Sequence, residues 1–279
     1  MRKESSILNS NYITSRLQGR TGNMMFQLAH GIAKSLEYNR QFVAPYGESS
    51  SKHLENTLFR KIDFNIFQTP TQDKSRHVWA PFHYGDVIPD EKIPTVFAGW
   101  YQTEKYFSKY TEIIKDLFSP TLTFIKKAVN EFPFLGNSTV GAINVRRGDY
   151  LTQPRRHPVI TLEYIYEAYS KLPHCDYFLV LSDDVSWCKE NIVLPNVIFV
   201  DNYVDCDGLW LLSLCDHFII SNSSYSWWGA YLSRTENKIV VAPDTWFGPE
   251  VTDDPKDIWC DDWIKIPTEW KDGFIHLKK

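Results

Sequence analysis

The chain has 279 residues, 43% of them hydrophobic and 15% aromatic, enough for a packed core in one or two domains. Its net charge of −4 argues against a broad nucleic-acid-binding surface, and no apolar run reaches the roughly 18 residues of an integral membrane segment. Five scattered cysteines, with no CxxC and no metal spacing, point to a reducing compartment, and no apolar run follows Met1; a cytoplasmic protein is expected.

Residues 1–17 are polar, with one apolar touch at Ile13, and lead into a first strand. Gly19-Arg20-Thr21-Gly22-Asn23 reads as a glycine-bounded loop that opens a helix over Met24–Leu36. Met25, Leu28, Ala29, Ile32, Ala33 and Leu36 recur at spacings of three and four, so one helix face is buried. Backbone N–H groups around Gly22 and Asn23 could meet an anion; a tight strand-to-helix turn is the other reading. Residues 45–95 hold loops and short elements. His53, His77 and His83 lack ligand spacing and read as surface residues. Thr95–Trp100 is a buried strand. A helix over Glu104–Phe118 ends at Ser119-Pro120, and the next runs to about Phe132. Gly136-Asn137-Ser138 is a polar break, which sets two domains, 1–136 and 137–279.

Beyond the break, strands and helices alternate. Strands are expected at 139–145, 177–181, 197–200, 217–220 and 238–242. Helices are expected near 161–171, 185–191, 207–215 and 224–233. This pattern makes an α/β fold with a doubly wound parallel sheet, which binds nucleotides at the carboxyl ends of its strands.

Three polar clusters follow such strand ends: Arg146-Arg147-Gly148-Asp149, Ser182-Asp183-Asp184, and the run from Ser221 to Gly229. Two guanidiniums at a strand end suit a diphosphate; a surface salt bridge to Asp149 is the alternative. Asp183 and Asp184 could accept from the adjacent N–H donors of guanine, or serve as a helix N-cap and first-turn acid. Ser224, Tyr225 and Ser226 open a helix, suited to a phosphate seat or to a plain cap. For Trp227 and Trp228, core packing explains at least one.

GNMMFQLAHG, AGWYQTEKYF, NVRRGDY, LSDD and SNSSYSWWGAYLS, in this order, resemble the α1,2-fucosyltransferase family of inverting glycosyltransferases, from about Gly19 to Trp246. The resemblance implies a B-type glycosyltransferase fold, two Rossmann-like domains facing across a cleft. It implies GDP-L-fucose as donor substrate, a galactose-terminated glycan as acceptor, and neither cofactor nor metal. By that similarity Arg146 holds the diphosphate, Arg147 and Asp149 complete the motif, Asp184 reads guanine, and Ser224 and Ser226 line the phosphate seat. Asn144 stands where the family usually has His, and Arg20-Thr21-Gly22-Asn23-Met24 where it usually has Gly-Leu-Gly-Asn-Gln. An amide cannot carry a proton or a positive charge, so Asn144 cannot neutralise charge as a histidine would. Asp205-Cys206-Asp207 matches an Asp-x-Asp metal motif only superficially, at a helix start where Asp is expected. Another linkage or nucleotide sugar, or a catalytically inactive glycan- or nucleotide-binding protein, are the competing readings. The residues assign no general base.

Overall fold

A computed structural model describes residues 11–44, 54–62, 75–203 and 205–278. His53 and the parts of 1–17 and 45–95 beyond these ranges lie outside the described residues. By backbone contacts the chain forms two units. Unit 1 is Met1–Phe118 with Asp253–Ile258; unit 2 is Ser119–Thr252 with Trp259–Lys279.

Unit 1 contains β1 (Ile13–Ser15), α1 (Thr21–Glu37), β2 (Arg76–Trp79), β3 (Thr95–Ala98) and α2 (Thr111–Leu117). The strands form a parallel sheet in the order β1-β3-β2. Helix α1 starts at Thr21, so Gly22 and Asn23 lie in its first turn and not in a loop. The chain turns one step earlier: Gly19 has φ +81° and Arg20 is the extended N-cap. The helix expected over Glu104–Phe118 is broken. Two 3-10 turns, Glu104–Tyr106 and Ser108–Tyr110, precede α2. Phe107, between the two turns, leaves helical geometry with φ −135°, and both it and Tyr106 are buried.

Helix α1 buries His30 completely. Its ring stacks on Tyr101 at 3.8 Å and meets the edges of Phe97 and Tyr106 at 4.6 and 4.9 Å. Among the described residues neither ring nitrogen has a hydrogen-bond partner. Burial, with a smaller contribution from Lys34, holds the imidazole well below its ordinary pKa. Below about pH 6.5 the unfolded chain therefore binds a proton that the folded chain refuses. Stability from this group is complete above that pH and falls by about 1.4 kcal/mol per unit beneath it. His30→Phe should remove about 1.4 kcal/mol of the loss seen between pH 7.5 and 5.5 in urea unfolding. An identical pH dependence in both proteins would contradict a neutral, unsolvated His30.

Unit 2 runs α3 (Leu122–Glu131), β4 (Val140–Val145), β5 (Val159–Ile160), α4 (Leu162–Lys171), β6 (Tyr177–Ser182), α5 (Val185–Asn191), β7 (Val197–Phe199), α6 (Asp205–Ser213), β8 (His217–Ile220), α7 (Ser224–Leu232), β9 (Val240–Pro243), β10 (Ile264–Ile266), β11 (Thr268–Lys271) and β12 (Phe274–Leu277). Gly136–Ser138 is a turn leading from α3 to β4, where Asn137 and Ser138 donate their backbone N–H groups to the Phe134 carbonyl. Six parallel strands form the main sheet, in the order β10-β9-β8-β4-β6-β7. The expected set stops one strand short, at β9; β10 continues it. Its three residues, Ile264-Lys265-Ile266, leave two exposed and carry too little pattern to read. A small sheet, β11-β12-β5, also went unanticipated, since β5 has only two residues.

The sheet winds in two directions from its centre. From β4 the chain proceeds outward through β6 and β7, then returns to the other side of β4 and builds β8, β9 and β10. The switch point therefore lies between the carboxyl ends of β4 and β8, where an open α/β sheet leaves a crevice. Tyr164 of α4, fully buried, ties β8 to β9 there by donating its hydroxyl to Ile220 O at 2.7 Å, with Val241 O at 3.2 Å. Every residue of β4 is buried, and both Trp227 and Trp228 of α7 are core residues with no exposed surface.

Candidate functional site

Parallel register builds the site. Val145 of β4 pairs with Ser182 of β6, so the residues that follow emerge side by side. Arg146 meets Asp183, and Arg147 meets Asp184, with Nε–Oδ2 distances of 3.2 and 3.0 Å. Asp183 also accepts from the Arg147 backbone N–H at 2.8 Å. Arg146 Nη2 pairs with Asp149 Oδ1 at 2.5 Å. The Arg146 guanidinium is thus gripped on two sides. Burial works against its charge, but the Asp149 bond and the Asp183 carboxylate outweigh it and raise the pKa. Two guanidiniums face three carboxylates here, a formal charge of −1. An incoming anion must therefore loosen these pairs or meet an N–H they leave over.

Asp184 takes the N-cap role anticipated without a ligand, but α5 starts after it and has no first-turn acid. It caps α5, accepting from Trp187 N at 3.3 Å, and it holds Arg147. Arg147 in turn lies 4.2 Å above the Trp187 ring, a cation–π contact. Its side chain is 15% exposed and packed on all these partners.

Asn144 is buried, and both ends of its amide are engaged. Nδ2 donates to Leu181 O at 3.1 Å, and Oδ1 accepts from Ser226 Oγ at 2.5 Å. Ser221 Oγ lies 3.0 Å from Ser226 Oγ and accepts from Arg146 N at 3.2 Å. With Ser226 donating to Asn144, Ser221 must donate to Ser226. This chain of bonds ties β4, β8 and α7 together beneath Arg146. Ser226 is 1% exposed, so its hydroxyl belongs to the support and not to an open seat. Ser224 and Tyr225 are half-buried in the first turn of α7. Tyr225 donates its hydroxyl to Asp205 O at 2.6 Å. Asp205 begins α6, as expected for the Asp-x-Asp stretch, and Asp207 pairs with Lys127 at 3.1 Å. Among the described residues no group of three or more His, Cys, Asp or Glu converges as metal ligands would.

Arg146, Arg147, Asp149, Asp183 and Asp184 are linked to one another directly, and Asn144 and Ser226 join them by way of Ser221. Gly22 and Asn23 belong to unit 1, where Asn23 Oδ1 accepts from Gln102 Nε2 at 2.8 Å. Two neighbours of Arg146 were not anticipated. Tyr150 lies 5.7 Å from the Arg146 guanidinium and donates to Asn222 O at 3.1 Å; His157 stacks on Tyr150 at 5.0 Å. Tyr150 ends the double-arginine motif and could have been read from it. His157 follows seven residues later in a loop with no periodic signal.

The family model described as glycosyl transferase family 11 matches residues 2–267. An α1,2-colitosyltransferase of Escherichia coli is 28% identical over 85% of this chain and 93% of its own length. Galactoside α(1,2)-fucosyltransferase 1 of Saimiri boliviensis boliviensis is 28% identical over 77% of this chain; the match spans 63% of that enzyme, less than two thirds. Among solved structures, the NodZ α1,6-fucosyltransferase co-crystallised with GDP superposes with a TM-score of 0.51 at 12% identity, over 81% of this chain and 93% of that one. That likeness bears on the fold alone, which is α/β with parallel sheets, similar to the B-type fucosyltransferases.

Proposed function

Since the chain belongs to glycosyl transferase family 11, we propose that it transfers L-fucose from GDP-L-fucose to the 2-hydroxyl of a terminal β-galactoside, with inversion at the anomeric carbon. The observation that carries the proposal is Arg146, a partly exposed guanidinium fixed at the switch point by Asp149 and Asp183. As the sugar–phosphate bond breaks, negative charge collects on the departing diphosphate. A donor held rigidly toward that charge stabilises the transition state without reorganising. In this reading Asp149 and Asp183 orient Arg146. Arg147 and Asp184 hold the start of α5 beside the nucleotide, Ser224 and Tyr225 border the phosphates, and Asn144 and Ser226 support Arg146 from below. Gly22 and Asn23 serve the acceptor-side domain, residues 1–136, and residues 137–279 serve the donor. Among the described residues no helix is long and apolar enough to cross a membrane.

Colitose is the second reading for the sugar, favoured by the match across 93% of the colitosyltransferase. One experiment decides. The protein is offered GDP-fucose, or nucleotide-activated colitose, with a panel of β-galactoside-terminated acceptors, in EDTA, and the product linkage is determined. The expected product carries fucose on the galactose 2-hydroxyl, and the yield survives chelation. Transfer of colitose alone would shift the donor assignment, and GDP binding without any transfer would leave only a binding protein.

A further inference from the structure

The loop from Gln153 to Pro158 is held unusually firmly for a segment without regular structure. Arg156 and His157 donate their backbone N–H groups to Gln153 O, both at 2.9 Å. Gly248 N donates to Arg156 O and Glu250 N to Arg155 O, each at 3.0 Å. A Cβ on Gly248 would sit 2.2 Å from the Arg155 carbonyl oxygen, so the two backbones pack as closely as glycine allows. This support presents the His157 ring to Tyr150, at 5.0 Å and 22° between planes, with Phe247 at 6.2 Å. Tyr150 in turn lies against Arg146. Among the described residues neither nitrogen of His157 makes a hydrogen bond, although the ring is half-buried and its position is fixed.

We propose that His157 is the general base of the transfer, its neutral imidazole taking the proton of the acceptor hydroxyl as that oxygen attacks the anomeric carbon. The proposal rests on the nucleotide-sugar reading above. The acceptor C–O bond forms while the bond from the anomeric carbon to the phosphate oxygen breaks, its electron pair leaving with GDP. The proton passes to the free imidazole nitrogen and then to solvent. The other groups around Arg146 are unsuited. Asp149 already neutralises the guanidinium at 2.5 Å. Asn144 cannot take up a proton, and both ends of its amide are bonded. The charged and titratable groups facing His157 are Arg156 in its own loop, Arg146 at the end of β4, and Asp149 and Tyr150 in the turn after it. Burial first, then the two arginines, lower the imidazole pKa, and Asp149 opposes them. The ring is therefore neutral at pH 7, the form a base requires.

Two variants test this. His157→Gln removes the base, and His157→Phe keeps the stack on Tyr150 without a nitrogen. Both should bind GDP within about twofold of the natural protein and lose roughly 10²–10⁴ in kcat for transfer. The natural enzyme should lose kcat/KM as pH falls through the lowered imidazole pKa, and both variants should lack that limb. Transfer within threefold of normal in either folded variant would overturn the base role and leave the donor assignment standing. Should neither variant fold, a natural pH profile without an acidic limb would overturn it equally. Failure of the natural protein to bind GDP at all would instead strike the underlying reading.

Discussion

Arg146→Ala and Arg146→Lys should each lose at least about 10²–10³ in kcat for sugar transfer, the usual cost of removing a donor aimed at developing charge. The lysine variant is the more telling of the two. Lysine keeps the positive charge but ends in one compact ammonium. Arg146 uses separate nitrogens of its fork, Nε for Asp183 and Nη2 for Asp149. A lysine at this position can satisfy the carboxylates or the diphosphate, not all three in the same geometry. Stability should change far less. Asp149 and Asp183 have side chains about 32% and 25% exposed, so water can hydrate them once the guanidinium is gone. These half-buried pairs lie between surface pairs, worth about 0–1 kcal/mol, and fully buried ones, whose disruption costs about 3–5 kcal/mol, so a loss of about 1–2 kcal/mol is expected. Transfer rate and melting temperature must be measured on the same preparations. Near-normal kcat in both variants would reduce Arg146 to a surface ion pair and remove the main support for the functional proposal.

The largest loss of stability is expected at Trp227. Its side chain is fully buried, stacked on Tyr231 at 4.6 Å, against the edge of Trp228 at 5.0 Å and beside Trp263 at 5.5 Å. Trp227→Ala should cost about 3–5 kcal/mol, from lost transfer energy and from the cavity left behind. For a unit of this size that is a fall in melting temperature of roughly 10 °C or more. Trp227→Phe should cost much less, because the stack on Tyr231 survives. Helix α7 also delivers Ser226 to Asn144, so activity should fall with stability in the alanine variant. A loss below 1 kcal/mol in urea unfolding of Trp227→Ala would contradict the tight packing of α7 against unit 2.

Where the chain alternates short apolar runs with polar strand ends, its structure could be read from neighbouring residues alone. Val140–Val145 and His217–Ile220 are dense in apolar residues, and the Gly148 and Ser221–Ser223 segments end them on cue. The same local logic located Arg146, Arg147, Asp149, Asp183 and Asp184 at strand ends. It failed where tertiary packing overrode periodicity. Phe107 leaves helical geometry between two 3-10 turns and interrupts the helix, and β10 exists only because β9 offers a free edge at Val241–Pro243.

Composition, strand and helix order and the polar clusters were determined by the sequence itself, because each depends on residues within a few positions of one another. Which carboxylate meets which guanidinium was decided by the sheet. Placing β6 on one side of β4 and β8 on the other sets the switch point, and aligning Val145 with Ser182 sets the pairs. A slip of one residue would set Arg146 against Asp184 or Ser182 and turn every β6 side chain to the opposite face. The position of His157 beside Tyr150 has the same origin. It depends on a loop packed against Gly248, 91 residues further along the chain, at a distance no local pattern can report.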